Sequence, residues 1–358
     1  QETVKNIVAF AGEHPVQAVI SLDDSASVVA AMASEALGLP HNNSRAALAA
    51  RNKYEMRKML AASDVACPGF HLYDTAADPA GIAAEIEYPV VIKPLLLSGS
   101  RGVIRVNNPA EFKAAFERLK RMLAGYEAES GGDQILVETY IPGGEVALEG
   151  ILERGRLKVL ALFDKPDPLE GPFFEETIYV TPSRLPEAVQ QSIADCTARA
   201  VRSLGLYHGP IHAELRINDD GPWLLEVAGR SIGGLCSETL QFGSDISLEE
   251  LILRQAIGLD VDAFRREDQA TGVMMIPIPE AGLLKGCEGI EEAEQVPLVD
   301  RVEITAELNY PLVPLPEGDS YLGFIFASGP SPEAVEAALR EAHKKLHFQV
   351  ESLLPMVS

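Results

Sequence analysis

The sequence predicts a protein of mixed α/β and α+β class with more than one domain. Three observations carry this. At 358 residues the chain is too long for one small core. Its first part places a strand-like segment before a helix-like one, the unit of a parallel α/β layer. From about Thr271 the character changes to short strands and one terminal helix, which reads as a small α+β lobe.

Composition sets further bounds. Hydrophobic residues make up 47% and charged residues 23%, the usage of a packed chain and not of a disordered one. Lys and Arg number 30 against 53 Asp and Glu, a net charge of −23. Such a chain is a poor partner for nucleic acid or an anionic membrane surface, so a phosphate ligand would need locally clustered cations. No apolar run approaches a membrane span and no signal peptide is visible. Cys67, Cys196, Cys236 and Cys287 lie far apart without a CxxC pair. Reduced thiols in the cytoplasm fit that pattern.

Taken in order, Val16–Asp24 reads as a buried strand ending in carboxylates. Ser25 caps a helix to about Leu37, stopped by Gly38-Leu39-Pro40. One such unit cannot bury both faces of a parallel sheet, so more of this domain is expected upstream of Gln1. Arg51–Ala62 reads as a basic helix and Tyr88–Pro94 as an apolar strand holding one lysine. Leu95–Gly102 has the composition of a mobile loop, and Pro109–Ala124 returns to helix. Ile135–Tyr140 and Glu145–Leu152 read as strands around a Pro-Gly-Gly turn. A long helix begins near Pro186 and ends by Gly205. His212–Ile217 and Trp223–Val227 form a hairpin across Asn218-Asp219-Asp220-Gly221. In the last part Gly272–Pro277, Arg301–Glu307 and Tyr321–Ser328 read as strands and Ser331–Leu346 as a capped helix.

Three segments could carry chemistry. In the hairpin, period-two alternation puts His212, Glu214 and Arg216 on one face. It also sets Glu214 and Glu226 on neighbouring strands, where facing carboxylates repel unless a cation such as Mg²⁺ sits between them. A solvated face with two unrelated glutamates is the alternative. Lys93, inside an apolar strand, must snorkel or find an anion. Behind it Ser98-Gly99-Ser100-Arg101-Gly102 offers backbone N–H groups, hydroxyls and a guanidinium, the parts of a phosphate cradle without the Walker spacing. An edge lysine before a flexible turn is the plain reading. Third, Glu138-Thr139-Tyr140-Ile141 leads from a strand into an extended bend that could pair with a purine edge. Glu145 could then accept from ribose hydroxyls, or the stretch is simply a strand and turn.

The order of these motifs resembles the ATP-grasp superfamily over roughly Pro15 to Asp260. The resemblance implies an ATP-grasp domain over 49–268, its nucleotide-binding subdomain at about 88–143, between a partial Rossmann-like N-terminal domain at 1–48 and an α+β lobe at 269–358. It implies Lys53 and Lys93 on ATP phosphates, and Ser98, Ser100, Arg101 and Gly102 in a lid loop. Glu138 with the backbone of Thr139, Tyr140 and Ile141 would hold adenine, Glu145 the ribose, and Glu214 and Glu226 the Mg²⁺, for which Mn²⁺ can substitute. One departure stands out. The family's Glu-x-Asn-x-Arg reads Glu226-Val227-Ala228-Gly229-Arg230 here, and Ala228 cannot ligate a metal.

Arg230-Ser231-Ile232-Gly233-Gly234-Leu235 is similar to the Arg-x-x-Gly-Gly segment of L-amino acid ligases, the ATP-dependent dipeptide synthetases. Asp164-Lys165-Pro166, Phe174–Thr177 and Thr181–Ser183 resemble their substrate-side strand. Gly272–Pro277 resembles the C-terminal domain of these ligases and of carnosine synthases. This second resemblance implies a carboxylate–amine ligase working through an acyl phosphate and releasing ADP and phosphate. Lys93 and Arg230 would serve the reacting groups, and Gly233 and Gly234 would let backbone amides approach them. A structural ion pair and a tight turn are the plain readings of Arg230 and Gly233-Gly234, and His212 would contact phosphate or substrate, or serve only as a packed partner of the carboxylates. Glu176 and Leu235 would neighbour the two amino-acid substrates, whose identity the sequence leaves open. Ligases of this kind are often dimers. The sequence leaves two alternatives: a biotin-carboxylase-like subunit, and a nucleotide-binding regulatory protein without turnover.

Overall fold

The computed structural model describes residues 1–126, 131–243 and 246–352. It divides into two compact units, each assembled from three stretches of chain. The first comprises Gln1–Phe70, Ile141–Phe163 and Leu185–Asp268. The second comprises His71–Tyr140, Asp164–Arg184 and Gln269–Ser358; of the lobe expected at 269–358, positions 353–358 lie outside the described residues.

The first unit opens with helices. Asp24–Leu37 is capped by Asp23 and not by Ser25, because the Asp23 carboxylate accepts from the Ser25 N–H. It stops where expected, at Gly38 in the left-handed region. The strand expected over Val16–Asp24 does not form. No strand among the described residues runs beside it, Ile20 and Leu22 are 40% and 72% exposed, and the Val19 carbonyl accepts from the Ser34 hydroxyl instead. An apolar run becomes a strand only where a ladder partner is present.

The helix expected over Arg51–Ala62 is present as Lys53–Ala61, and Arg51 instead closes a preceding helix, Ser44–Arg51, that the sequence pattern did not announce. Asn52 sits between them with extended backbone, and its side chain accepts from the N–H groups of Tyr54 and Glu55 at 3.0 and 3.1 Å. This cap makes Lys53 the first residue of the second helix.

Within this unit, strands Arg156–Lys165, Gly144–Glu153, Gly209–Asn218 and Gly221–Ala228 lie side by side in that order; the last two residues of Arg156–Lys165 belong to the second unit. The Gly209–Asn218/Gly221–Ala228 hairpin turns where expected, Asn218 opposite Gly221. Its register contains an irregularity with a large consequence. Leu215 faces Leu224, but Glu214 faces Glu226, so Leu225 is an extra residue. Without that bulge Leu225 would stand opposite Glu214. The bulge carbonyl accepts from the guanidinium of Arg57, a fully buried arginine of the helix Lys53–Ala61. Below, Ile211, Ala213, Leu215, Leu224 and Val227 pack with Ile193, Cys196, Ala200 and Val201 of the helix Glu187–Leu204.

The second unit contains a four-stranded sheet in the order Phe70–Asp74, Gln134–Thr139, Val90–Lys93, Ile104–Val106; Phe70, the first residue of its edge strand, belongs to the first unit. Phe112, Phe116 and Leu119 of the helix Pro109–Leu123 share a core with Ile92, Ile104, Ile135 and Val137 of this sheet. Its C-terminal part pairs Ala270–Ile276 with Gly323–Gly329 and with Ile178–Thr181, and Gly323–Gly329 with Val299–Ile304. The helix Pro332–His343, capped by Ser331, shares their core through Val335, Ala338 and Leu339. The expected strands and terminal helix of this region are thus present. Gly282–Glu288, which pairs with Pro311–Leu312 and His347–Glu351, adds a small sheet that the pattern did not announce. No helix among the described residues is long and apolar enough to cross a membrane, and none of the four cysteines forms a disulfide.

The cap at Asn52 can be tested. Asn52→Ala should cost about 1 kcal/mol and Asn52→Ser little, read as midpoints of urea unfolding. An unchanged midpoint for the alanine variant would mean that the cap does not hold this helix start.

Candidate active site

The first unit brings together Lys53, His212, Glu214, Glu226 and Arg230. Glu214 and Glu226 are direct cross-strand partners, and their side chains are 26% and 29% exposed. Each carboxylate has a cation beside it. Lys53 Nζ lies 3.3 Å from Glu226 Oε1, and His212 Nε2 lies 3.4 Å from Glu214 Oε1. The expected facing pair is present, and like charges in that position require such neutralisation.

His212 also meets an acid that the sequence reading did not single out. Its Nδ1 donates to Glu149 Oε1 at 2.5 Å, from across the strand pair, where the two residues are in register. Burial acts to lower the imidazole pKa. The charge and hydrogen bond of Glu149, and then those of Glu214, outweigh it and bring the group up to about 9. Both ring nitrogens therefore carry protons at neutral pH. Burial pushes the Glu149 carboxyl upward, and the imidazolium draws it back.

Arg230 is held by a second residue not assigned to the site beforehand. Its Nε and Nη2 donate to Asp24 Oδ2 at 2.8 and 2.6 Å, and its Nη1 donates to the Ser231 carbonyl. Gly234 occupies the left-handed region, which glycine alone adopts at little cost. Gly233 has open space around the position of a Cβ, so nothing in the protein itself demands glycine there. Both glycines are exposed, and Leu235 follows, half-buried, ahead of the short turn Cys236–Thr239. Glu145, expected at a ribose, pairs with Arg216 at 3.0 Å, and Arg216 also donates to the Ile141 carbonyl at 2.8 Å.

In the second unit, Lys93 finds its anion in Glu138, 2.6 Å away, with both side chains almost fully buried. The two stand on adjacent strands. Thr139 ends its strand exposed. The Tyr140 N–H donates to the Pro89 carbonyl, and the Tyr140 ring carries Arg105 4.0 Å from its centre.

The Ser98–Gly102 loop is more occupied than its composition suggested. The Gly102 N–H donates to the Pro316 carbonyl at 2.8 Å. Arg101 pairs with Asp319 at 3.0 Å and donates to the Tyr126 hydroxyl. Gly102 is needed for packing, since a Cβ there would lie 2.9 Å from both Pro94 and Leu119. Ser98 is exposed and Ser100 takes a positive φ of 54°. Glu176, half-buried, forms an ion pair with buried Lys165, which also lies 5.0 Å from the centre of the Tyr179 ring.

Glu149, Asp24 and Arg57 are the residues that sequence reasoning passed over. Glu149 had a signal: a glutamate within the apolar run Val146–Leu152, on the same strand face as Glu145 by period-two alternation. Asp24 and Arg57 had none that is local, since each acts on a residue more than 150 positions away. Chemically, the paired carboxylates are hard oxygen donors converging from adjacent strands, which suits a divalent cation. Ala228, opposite His212, adds no donor.

Comparison with known proteins places the chain. The ATP-grasp domain profile matches residues 86–239, and the L-amino acid ligase C-terminal domain 2 profile matches residues 274–351. These two matches and the fold define a member of the ATP-grasp superfamily. The solved L-amino acid ligase from Bacillus licheniformis superposes with a TM-score of 0.85 at 30% identity, covering 98% of this chain and 85% of that one. The protein belongs to the L-amino acid ligase family. An uncharacterized protein of Sinorhizobium fredii is 26% identical over 299 residues, 84% of this chain and 61% of that protein. The alanine–anticapsin ligase of Bacillus subtilis is 27% identical over 269 residues, 71% of this chain and 56% of that protein. The chain thus matches only about three-fifths of the length of these two relatives.

The buried pair in the second unit yields a stability prediction. Lys93→Met should destabilise by about 3 kcal/mol or more, since it takes the ammonium from a carboxylate with a 2% exposed side chain. Adding Glu138→Leu should recover most of that loss, as read by urea unfolding. A single variant as stable as the parent would show that the pair carries no such penalty.

Proposed function

We propose that the protein is an ADP-forming carboxylate–amine ligase that uses ATP and Mg²⁺ to join two amino acids through an acyl phosphate. The observation that carries this reading is the Glu214/Glu226 pair, in register and flanked by Lys53, His212 and Arg230. The alanine–anticapsin ligase named above, a ligase of an amino acid, supports the same class of reaction.

Each residue has a part in this reading. Glu214 and Glu226 hold Mg²⁺, which when bound supplies positive charge to phosphate oxygens. Lys53 and Lys93 contact the nucleotide phosphates, the Glu138–Ile141 stretch takes the adenine edge, and Glu145 takes the ribose. Lys53 and Lys93 start from ion pairs with Glu226 and Glu138, so each ammonium is already aimed before nucleotide arrives. Arg230, locked by two hydrogen bonds to Asp24, offsets charge on the phosphoryl group and on the oxyanion formed when the amine attacks. A guanidinium fixed in advance needs no reorganisation as that charge develops. His212 adds a second fixed cation. Gly234 turns the backbone beside Arg230 where the acyl group would sit. Ser98–Gly102 excludes water from the acyl phosphate, which would otherwise hydrolyse. Glu176 and Leu235 neighbour the amino-acid side chains.

Ala228 favours a second reading, a nucleotide-binding protein without turnover. The two readings separate in one assay. Incubated with ATP, Mg²⁺ and pooled amino acids, the protein should release ADP and phosphate only when two amino acids are present. Hydroxylamine should trap a hydroxamate from the carboxylate partner, and Arg230→Ala should lose that product more completely than it loses ATP binding. AMP and pyrophosphate as products would sink the mechanism, and ATP binding without amino-acid-dependent turnover would favour the second reading.

A further inference from the structure

We infer that Glu149 is a positioning residue of this site: it holds one edge of the His212 ring so that the other edge meets Glu214. The inference rests on the reading of Glu214 and Glu226 as the metal-holding pair.

Glu149 lies in the middle of Gly144–Glu153, where Val146, Ala147, Leu148, Ile151 and Leu152 are buried, and it is 0% exposed. A carboxylate in such a place carries a desolvation penalty that an apolar side chain would avoid. Its placement therefore calls for a specific partner. Its side-chain partner is His212, directly opposite in register, with Nδ1 2.5 Å from Glu149 Oε1, while the Ile232 N–H and the Arg230 charge add smaller contributions. Glu149 reaches the paired carboxylates through the ring.

An imidazole is a rigid plate with polar atoms at two edges, so fixing one edge fixes the direction of the other. With Nδ1–H committed to Glu149, the Nε2 edge faces Glu214 Oε1 at 3.4 Å. The chain Glu149–His212–Glu214 thus crosses two adjacent strands and ends on one member of the facing pair. The other member, Glu226, is met by Lys53, a long side chain that needs no such anchor. The same logic operates where a carboxylate orients a metal-ligating histidine from behind. Here it orients a histidine that in turn aims a metal-holding carboxylate.

The test combines a mutant cycle with a spectroscopic readout. Glu149→Gln keeps size and an oxygen that accepts from Nδ1–H, so it should lower kcat less than Glu149→Ala, which should lose about 10–100-fold. KM for ATP should stay near that of the parent in both. Because Glu149 acts through His212, Glu149→Gln placed on a His212→Asn background should cause no further loss. Independently of turnover, the downfield imidazole proton of His212 in the ¹H NMR spectrum should vanish in His212→Asn and move upfield in Glu149→Gln. Should Glu149→Ala fail to fold, as judged by its thermal midpoint, the glutamine variant alone decides. Losses that multiply in the double variant, or a His212 resonance that Glu149→Gln does not move, overturn the inference. A parent protein with no ligase turnover refutes the proposed function instead, and the resonance still decides the placement of Glu149.

Discussion

Two carboxylates held face to face on adjacent strands are the constraint around which the first unit is organised. Glu214 and Glu226 would repel in any environment that lacked compensating charge. The fold sets Lys53 beside one and His212 beside the other. It also has to bring the two acids onto the same face, and a regular hairpin would not do so. The bulge at Leu225 shifts the register by one residue, so Glu226 and not Leu225 stands opposite Glu214. Buried Arg57 binds the bulge carbonyl and so secures the irregularity on which the pair depends.

The helix that supplies Arg57 also supplies Lys53. Asn52 ends one helix and caps the next, so both cations enter the sheet's edge from one rigid element that starts at a defined residue. A continuous helix through residue 52 would not begin at Lys53. Arg230 gains its fixed position in a comparable way, from Asp24 in the first turn of another helix. In the second unit the economy differs. Lys93 and Glu138 neutralise each other within a sheet, and the Ser98–Gly102 loop is tied to Pro316 and Asp319 of the same unit.

Much of this was legible in the sequence. The Asn218–Gly221 turn is enough to put Glu214 and Glu226 on neighbouring strands, and the order of motifs was enough for the family. What escaped was whatever depends on distant partners. Val16–Asp24 has the composition of a strand, but no neighbouring strand among the described residues makes it one. The break at Asn52 was hidden because basic residues on both sides favour helix, while the asparagine acts through its own side chain. The bulge cannot be read from alternation, since it is a departure from alternation. Lys93 was expected to seek an anion, and the anion in the structure is Glu138, which the family resemblance had assigned to adenine. Such pairings come from register between strands more than 40 residues apart and have no local mark.

The central claim is that Glu214 and Glu226 act as one metal-holding pair. Titration with Mn²⁺ in the presence of ADP, followed by electron paramagnetic resonance, tests it most directly. The account predicts that the parent binds Mn²⁺ far more tightly with ADP than without. Glu214→Gln and Glu226→Gln should each remove that gain while leaving metal-free ADP binding in place. Mn²⁺ bound with ADP as tightly by either variant as by the parent would contradict the account.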